Sequence, residues 1–466
     1  MLSGSLIAIN TRADAGGREG HVKAVEVEWL VDQLPNRSGR ALAQQIATLI
    51  HSGVLPVGVR LPAIRDIAFV LGVSPATVSI VWSELRRRGM ITGRGRRGTY
   101  VSSAAIAPRP IRRAENVKLG GIPLDLSGYT PDPALLPPLH SAFLHVQETP
   151  HLNIYADEPI EASLEQVCRA DWPYEAEALM ATNGAYGGLF EAMQALIPPG
   201  SVVLVEDPVP MRVLDIIDYL KASAVAVPGD AHGPIPARLR AALTRQPVAF
   251  FLQPNLNAIT GRVLSAERMK ELADVLNAAS PVWIFEDDAM AYFTRAKPKS
   301  LGVWCSAQVI HVRSLSKALG PDLRLGILSA SDKIIREIQA YRSFGSGWTS
   351  RIMQAATARL LADPETATHL ERARRTYQAR RQKLTDNLAG YGFSYATGEG
   401  FSFWLPVEDE EAALASLNAH GIRVTAGRQC SLMPQPHIRF SISHLKDRYE
   451  WVSEHLAQAG LSKTIC

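Results

Sequence analysis

The chain has 466 residues, 47% of them hydrophobic and 20% charged, with a formal net charge of +4 and a pI near 8.8. That length and balance exclude one small domain and a disordered polyelectrolyte, and predict two or three globular domains. Cys168, Cys305, Cys430 and Cys466 are scattered with no CxxC pair, which excludes a disulfide framework or zinc site and fits a reducing, cytoplasmic setting.

Residues 1–37 read as an N-terminal extension. Gly4, Asn10, Thr11 and Arg12 interrupt any signal-peptide core, and no apolar run approaches membrane-spanning length. TRADAGGREG has the composition of a disordered segment, and AVEVEWLVDQL (24–34) reads as a short helix or strand packed on the next segment.

Residues 38–102 are more informative. Leu42, Ile46, Leu49 and Ile50 form a helical stripe. A Pro/Gly loop leads to a short helix, Ala63 to Leu71, and a Gly72-Val73 turn. Ser74 then caps a third helix, with Pro75 at its first position and Gly89 after its end. Two strand-like stretches come next, flanking the basic tip Arg94, Arg96 and Arg97. Helix, glycine turn, capped helix and wing predict a winged helix-turn-helix. Its second helix would enter the major groove with Ser74, Ala76, Thr77 and Ser79 at bases or phosphates. Arg65, Arg94, Arg96 and Arg97 would pair with phosphate or enter the minor groove. The phrases GVLPVGVRLPAIRDIA, LGVSPATVSIVWSELRRRGMI and GRGRRGTYV resemble the GntR family nearly end to end. Pro75 stands where that family usually has an arginine. The partner so implied is double-stranded DNA.

Residues 103–122, rich in Pro, Ala and basic residues, predict a linker resting on DNA through Arg109, Arg112 and Arg113. From 123 to 466 strands alternate with helices: VVLVED (202–207), VAFFLQ (248–253), VWIFEDD (282–288), QVIHV (308–312) and RLGILSA (324–330). Such alternation implies an α/β fold, a mainly parallel sheet covered on both faces. The length leaves room for a small C-terminal subdomain.

Three stretches of this region carry chemistry. Gly184-Ala185-Tyr186-Gly187, before a helix beginning near Leu189, offers backbone N–H groups to a phosphate. Glu286-Asp287-Asp288 ends a buried strand and sets carboxylates at the end of the sheet. Ser314, Ser316, Lys317 and Arg324 lie in HVRSLSKALGPDLRLGIL. That set suits a ligand with an aldehyde for the lysine amine and a phosphate for the hydroxyls and guanidinium.

S-x-S-K-x-x-x-P-x-L-R-x-G resembles the lysine segment of fold-type I, pyridoxal-phosphate-dependent aminotransferases, in the version carried by MocR/GabR-type regulators. Ser314, Ser316, Lys317, Pro321, Leu323, Arg324 and Gly326 fill its fixed places. The resemblance implies pyridoxal 5'-phosphate on Lys317, Arg439 for an effector carboxylate, Tyr155 reaching a phosphate across a homodimer, and Asp287 under the pyridine nitrogen. Three departures stand around the cofactor, two at its phenolic oxygen and one at its ring. The family's asparagine position is Ala258, with Asn257 one step away; Ala289 replaces a tyrosine; Pro210 replaces an aromatic. Each missing hydrogen bond to a charged group forfeits roughly 1.5–3 kcal/mol, so the site reads as a degraded catalyst.

The expectation is a transcriptional regulator that binds pyridoxal phosphate and DNA and senses an amine or amino acid through an aldimine at Lys317. Two alternatives stay open: an active aminotransferase with secondary DNA binding, and a regulator whose large domain no longer uses the cofactor. If the wing acts on phosphates, Arg96→Ala will weaken binding to all duplexes alike and reduce its salt dependence. Equilibrium titrations on unrelated duplexes at several salt concentrations check this.

Overall fold

The computed structural model describes residues 9–12, 22–37, 39–51, 54–93, 98–102, 112, 124–144, 146–150, 152–155, 158–395, 398–460 and 464–465. It divides into two compact units, Met1–Ile111 and Arg112–Cys466.

The first unit runs β1 (Ile9–Arg12), β2 (Val22–Val25), α1 (Val27–Asp32), α2 (Gly39–His51), β3 (Arg60–Leu61), α3 (Ile64–Leu71), α4 (Pro75–Arg87), β4 (Ile91–Gly93) and β5 (Thr99–Val101). Gly72 closes α3 in the left-handed conformation, φ +67°, which glycine adopts without steric cost. Ser74 Oγ then accepts from the Thr77 N–H at 3.1 Å and opens α4 with Pro75 behind it. The buried stripe Val78, Val81, Trp82 and Leu85 packs against α2 and α3 in one core. β4 and β5 pair antiparallel from Ile91↔Val101 to Gly93↔Thr99 and form the wing. Its tip, with Arg94, Arg96 and Arg97, lies outside the described residues, as do Arg109 and Arg113.

The segment 24–34 is strand and then helix, and belongs to this unit. β2 pairs parallel with β3 at Ala24↔Arg60, and Leu30 and Leu34 join the core. The N-terminal stretch is therefore not merely an extension.

The second unit begins with β6 (Leu124–Asp125), α5 (Ala162–Ala170), β7 (Ala178–Thr182), α6 (Ala185–Leu196), β8 (Val202–Asp207), α7 (Met211–Tyr219), β9 (Ser223–Asp230) and β10 (Gly233–Pro234). It continues with β11 (Ala249–Leu252), β12 (Trp283–Asp288), β13 (Val309–Ser314) and β14 (Gly326–Ala330). Eight of these strands form one sheet in the order β10-β9-β8-β11-β12-β13-β14-β7. β9, β8, β11, β12 and β13 run parallel, and β14 is antiparallel to both neighbours. Side chains alternate between the faces. Phe250, Leu204 and Ile284 pack under helix Ala266–Asn277, while Phe251, Val205 and Phe285 pack under α6 and α7.

A smaller antiparallel sheet of Ser402–Pro406, His437–Ser441 and Thr425–Ala426 forms the C-terminal part. The start of the unit folds onto it. β6 pairs with Ile422–Arg423, and the Ser441 N–H donates to Leu126 O at 2.8 Å. This crossing brings residues 127–129 to the ends of the central strands.

Leu30 is fully buried, so Leu30→Ala should destabilise the first unit by about 2–5 kcal/mol. Loss of an early unfolding transition in calorimetry, with the second unit's transition unmoved, checks this.

Candidate functional site

The parallel strands deliver their polar residues to one end of the sheet, the usual place for a ligand in this class of fold. β12 ends in Glu286, Asp287 and Asp288, all buried. Alternation sends Asp287 to one face and its two neighbours to the other. Gln253, just beyond β11, donates from Nε2 to Asp287 Oδ2 at 2.9 Å, and its Oε1 accepts from the Ala258 N–H at 2.8 Å. Burial pushes Asp287 up to about 6, against the pull of Lys317; the charge on Asp288 adds to the rise.

The opposite face holds the compensation. Glu286 and Asp288 lie beside His311 and Arg313 in the β12–β13 register. His311 Nδ1 is 2.7 Å from Glu286 Oε2, and its Nε2 stands 3.3 Å from Asp288 Oδ2. Burial alone would lower the His311 pKa, but the two carboxylates outweigh it and raise the pKa above the ordinary imidazole value. Burial likewise opposes charge on Asp288, yet His311 and Arg313 hold it below the ordinary range. Arg313 continues outward to Asp171 at 2.8 Å and stacks over Trp172.

Lys317 sits on the turn after β13. Burial lowers its pKa, as does Arg439, while Asp287 opposes them. Its Nζ lies 5.2 Å from the Tyr129 ring centroid, and the Arg439 guanidinium lies 5.1 Å from the same centroid. Arg439 donates to Ser127 O at 3.1 Å and to Ser402 Oγ at 3.4 Å; its Nε has no hydrogen-bond partner among the described residues. Tyr186 completes the cluster. Burial and the charge of Asp287 raise its phenol well above the ordinary value, and Arg212 lies 4.9 Å over its ring. Lys317, Asp287, Arg439, Tyr129 and Tyr186 thus form one buried to half-buried cluster.

A second group is built for an anion. α6 starts at Ala185, one turn earlier than Leu189, with Gly184 at φ +82° and no side-chain cap. Its first N–H groups therefore lack intrahelical acceptors. Arg324 lies against this end: a Cβ on Gly184 would stand 3.2 Å from Arg324 Nη2, and one on Gly326 would stand 2.5 Å from Ala185 N. Arg324 itself holds φ +49° in a turn ahead of β14, not within the strand. Ser314, at the end of β13, is buried, and Ser316 beside it is half-buried. Small residues here let backbone and guanidinium close on a phosphate-sized group.

Other residues singled out from the sequence are placed differently from expectation. Asn257 is spent on its own loop: Oδ1 accepts from the N–H groups of Ile259 and Thr260, and Nδ2 donates to Pro208 O. It offers nothing to a phenolic oxygen, and Ala258 and Ala289 are buried beside the site without a donor side chain. Tyr155 is 87% exposed, stacked edge-on to Trp348, and is not part of this chain's own cluster. Arg112 binds Asp215 at 3.0 Å and Asp218 at 2.7 Å on α7, which removes it as a DNA contact.

On the first unit, Arg65, Ser74, Ala76 and Ser79 are exposed. Thr77 is half-buried, its hydroxyl 2.9 Å from Ser74 Oγ, so it serves the cap rather than bases. Tyr129, Gln253 and His311 escaped the reading of the sequence. Gln253 and His311 left a signal, a polar residue in or just after an apolar strand; Tyr129 left none, because its partners Lys317 and Arg439 lie far away in the chain.

Comparison with known proteins agrees with the geometry. The family "Aminotransferase class I and II" matches residues 124–456, and "Bacterial regulatory proteins, gntR family" matches 39–101. The vitamin B6 salvage pathway transcriptional repressor PtsJ of Salmonella typhimurium is 30% identical, covering 89% of this chain and 96% of its own. The HTH-type transcriptional regulator TauR of Rhodobacter capsulatus is 27% identical, covering 83% and 88%. Among solved structures, Pyrococcus horikoshii kynurenine aminotransferase superposes with a TM-score of 0.68 at 17% identity, over 76% of this chain and 94% of that one.

The raised Asp287 pKa has a stability consequence. Folded Asp287 keeps its proton to about 6 against an ordinary 3.8. The penalty on the folded state therefore grows across that interval and is complete above it. In cofactor-free protein, Asp287→Asn should add about 3 kcal/mol above pH 7 and almost nothing below pH 4. Denaturant midpoints at the two pH values check it.

Proposed function

The chain belongs to the MocR/GabR-type subfamily of GntR transcriptional regulators, a winged helix-turn-helix joined to an aminotransferase class I and II domain, and from that premise we propose that it senses an amine or amino acid at a pyridoxal phosphate held by Lys317. The observation that carries this reading is the convergence of Lys317, Asp287 and Arg439 around Tyr129.

The residues fit the cofactor. The α6 N-terminus, Ser314, Ser316 and Arg324 would hold its phosphate. Asp287, fixed by Gln253, would hold the pyridine nitrogen, and Tyr186 stands near that carboxylate in place of the aromatic absent at Pro210. Bound there, pyridoxal phosphate supplies an aldehyde that exchanges amines and a ring that accepts electrons. Burial lowers the Lys317 pKa and so favours the free amine that such exchange needs. Arg439, whose Nε has no hydrogen-bond partner among the described residues, would take an effector carboxylate.

Ala258 and Ala289 withhold the donors that orient the ring during transamination, which supports signalling over turnover. An effector that binds two arrangements of the domain unequally shifts their populations, and the attached winged helix responds. The exposed Tyr155 and Trp348, in edge-to-face contact, leave apolar side chains open to a partner, which supports a homodimer.

A second reading takes pyridoxal phosphate itself as the signal. The relative PtsJ is named as a vitamin B6 salvage repressor, and it matches this chain over nearly its whole length.

Absorption spectra with added pyridoxal phosphate should show a protein-bound band that Lys317→Ala abolishes. A parent spectrum showing only free cofactor would sink the proposal. DNA affinity measured with cofactor alone, then with a panel of amines, separates the two readings. Arg439→Ala should weaken response to amino acids by tenfold or more, roughly the value of a charged hydrogen bond, and spare amines without a carboxylate.

A further inference from the structure

The outward line of α4 carries a chemistry that its family resemblance does not supply. Val78, Val81, Trp82 and Leu85 are buried, which turns Ala76, Ile80, Ser83 and Arg87 to the opposite side. Ser79 flanks that line. Ile80 is 70% exposed, although most large apolar side chains of this unit are buried in its core.

Base edges are read mostly by the first turns of such a helix. The side chains that grip guanine or adenine through two hydrogen bonds are arginine, lysine, asparagine and glutamine. The first two turns of α4 expose none of them: after Ser74 and Pro75 come Ala76, Ser79, Ile80 and Ser83. Charge begins only at Glu84, which pairs with Arg87 at 2.8 Å and Arg88 at 2.6 Å. Only hydroxyls and methyl groups remain for readout. Thymine is the one ordinary base with an apolar group in the major groove, its 5-methyl.

We propose that Ile80, with Ala76 one turn ahead of it, is a specificity-determining contact that reads thymine methyl groups in the major groove. The two side chains are separated by roughly 6 Å along the helix axis. That matches about two base-pair steps of roughly 3.4 Å. This rests on the DNA-binding reading of the first unit.

The test uses the full chain and a duplex enriched by it from a random-sequence pool. Each thymine of the enriched site is replaced in turn by uracil, which removes the methyl and keeps the pairing. The parent should lose about fourfold in affinity at one or two positions per half-site, the worth of one buried methyl group. Ile80→Ala should bind the thymine and uracil duplexes equally at one of those positions, with its thermal stability unchanged. Ile80→Val should keep part of the discrimination. Uracil without effect anywhere, or an effect that persists undiminished in Ile80→Ala, overturns the proposal. A uniform loss of binding in Ile80→Ala that ignores the methyl overturns it too, by making Ile80 a backbone contact. If no duplex is enriched, the DNA-binding reading fails along with it, and the two failures are told apart by whether the parent binds DNA at all.

Discussion

Three consecutive buried carboxylates at the end of β12 are the constraint around which the larger unit is arranged. Burying one unpaired carboxylate costs several kcal/mol, and burying three would be prohibitive without compensation. The strand's pleat divides the problem. Glu286 and Asp288 are neutralised on one face by His311 and Arg313 from β13, with Ser300 and the Leu301 N–H also donating to Glu286. Asp287, on the other face, has a hydrogen bond from Gln253 and the nearby charges of Lys317 and, more weakly, His311. It is the least compensated of the three, and so the one a cationic ring would satisfy. A structural core and a binding site thus share one strand.

The same division explains the character of the site. Phosphate recognition needs backbone and small residues, and those are in place at Gly184, Ala185 and Gly326. Recognition of a carboxylate needs a buried guanidinium, which Arg439 provides. The groups that would steer chemistry on the ring are the ones replaced, at Ala258, Ala289 and Pro210. Donors suited to anions are kept, while side chains suited to steering a ring are replaced.

Local order was the legible part of the chain. The Ser74 cap, the Gly72 turn and the strand Val202–Asp207 follow from chemistry within a few residues, and the lysine, the aspartate and the arginine stand in recognisable phrases. Where a helix began was less legible: Gly187 and Gly188 argue against helix by propensity. Yet α6 includes them, and Gly188 is glycine for packing: a Cβ there would come within 2.6 Å of Thr182 Cγ2. Asn257 looked available because its hydrogen-bond partners are mainly backbone groups of a loop whose shape no local pattern encodes. Tyr129 was invisible for a different reason. Its place between Lys317 and Arg439 depends on β6 crossing to the C-terminal sheet, a pairing between chain ends.

The ion pairs of Arg112 with Asp215 and Asp218 tie the first residue of the second unit to α7. The same helix carries Arg212, which lies over the Tyr186 ring. One short helix therefore holds the entry point of its unit at one end of its polar side and a cation against the cluster's aromatic wall at the other, so a shift of α7 would be felt at both.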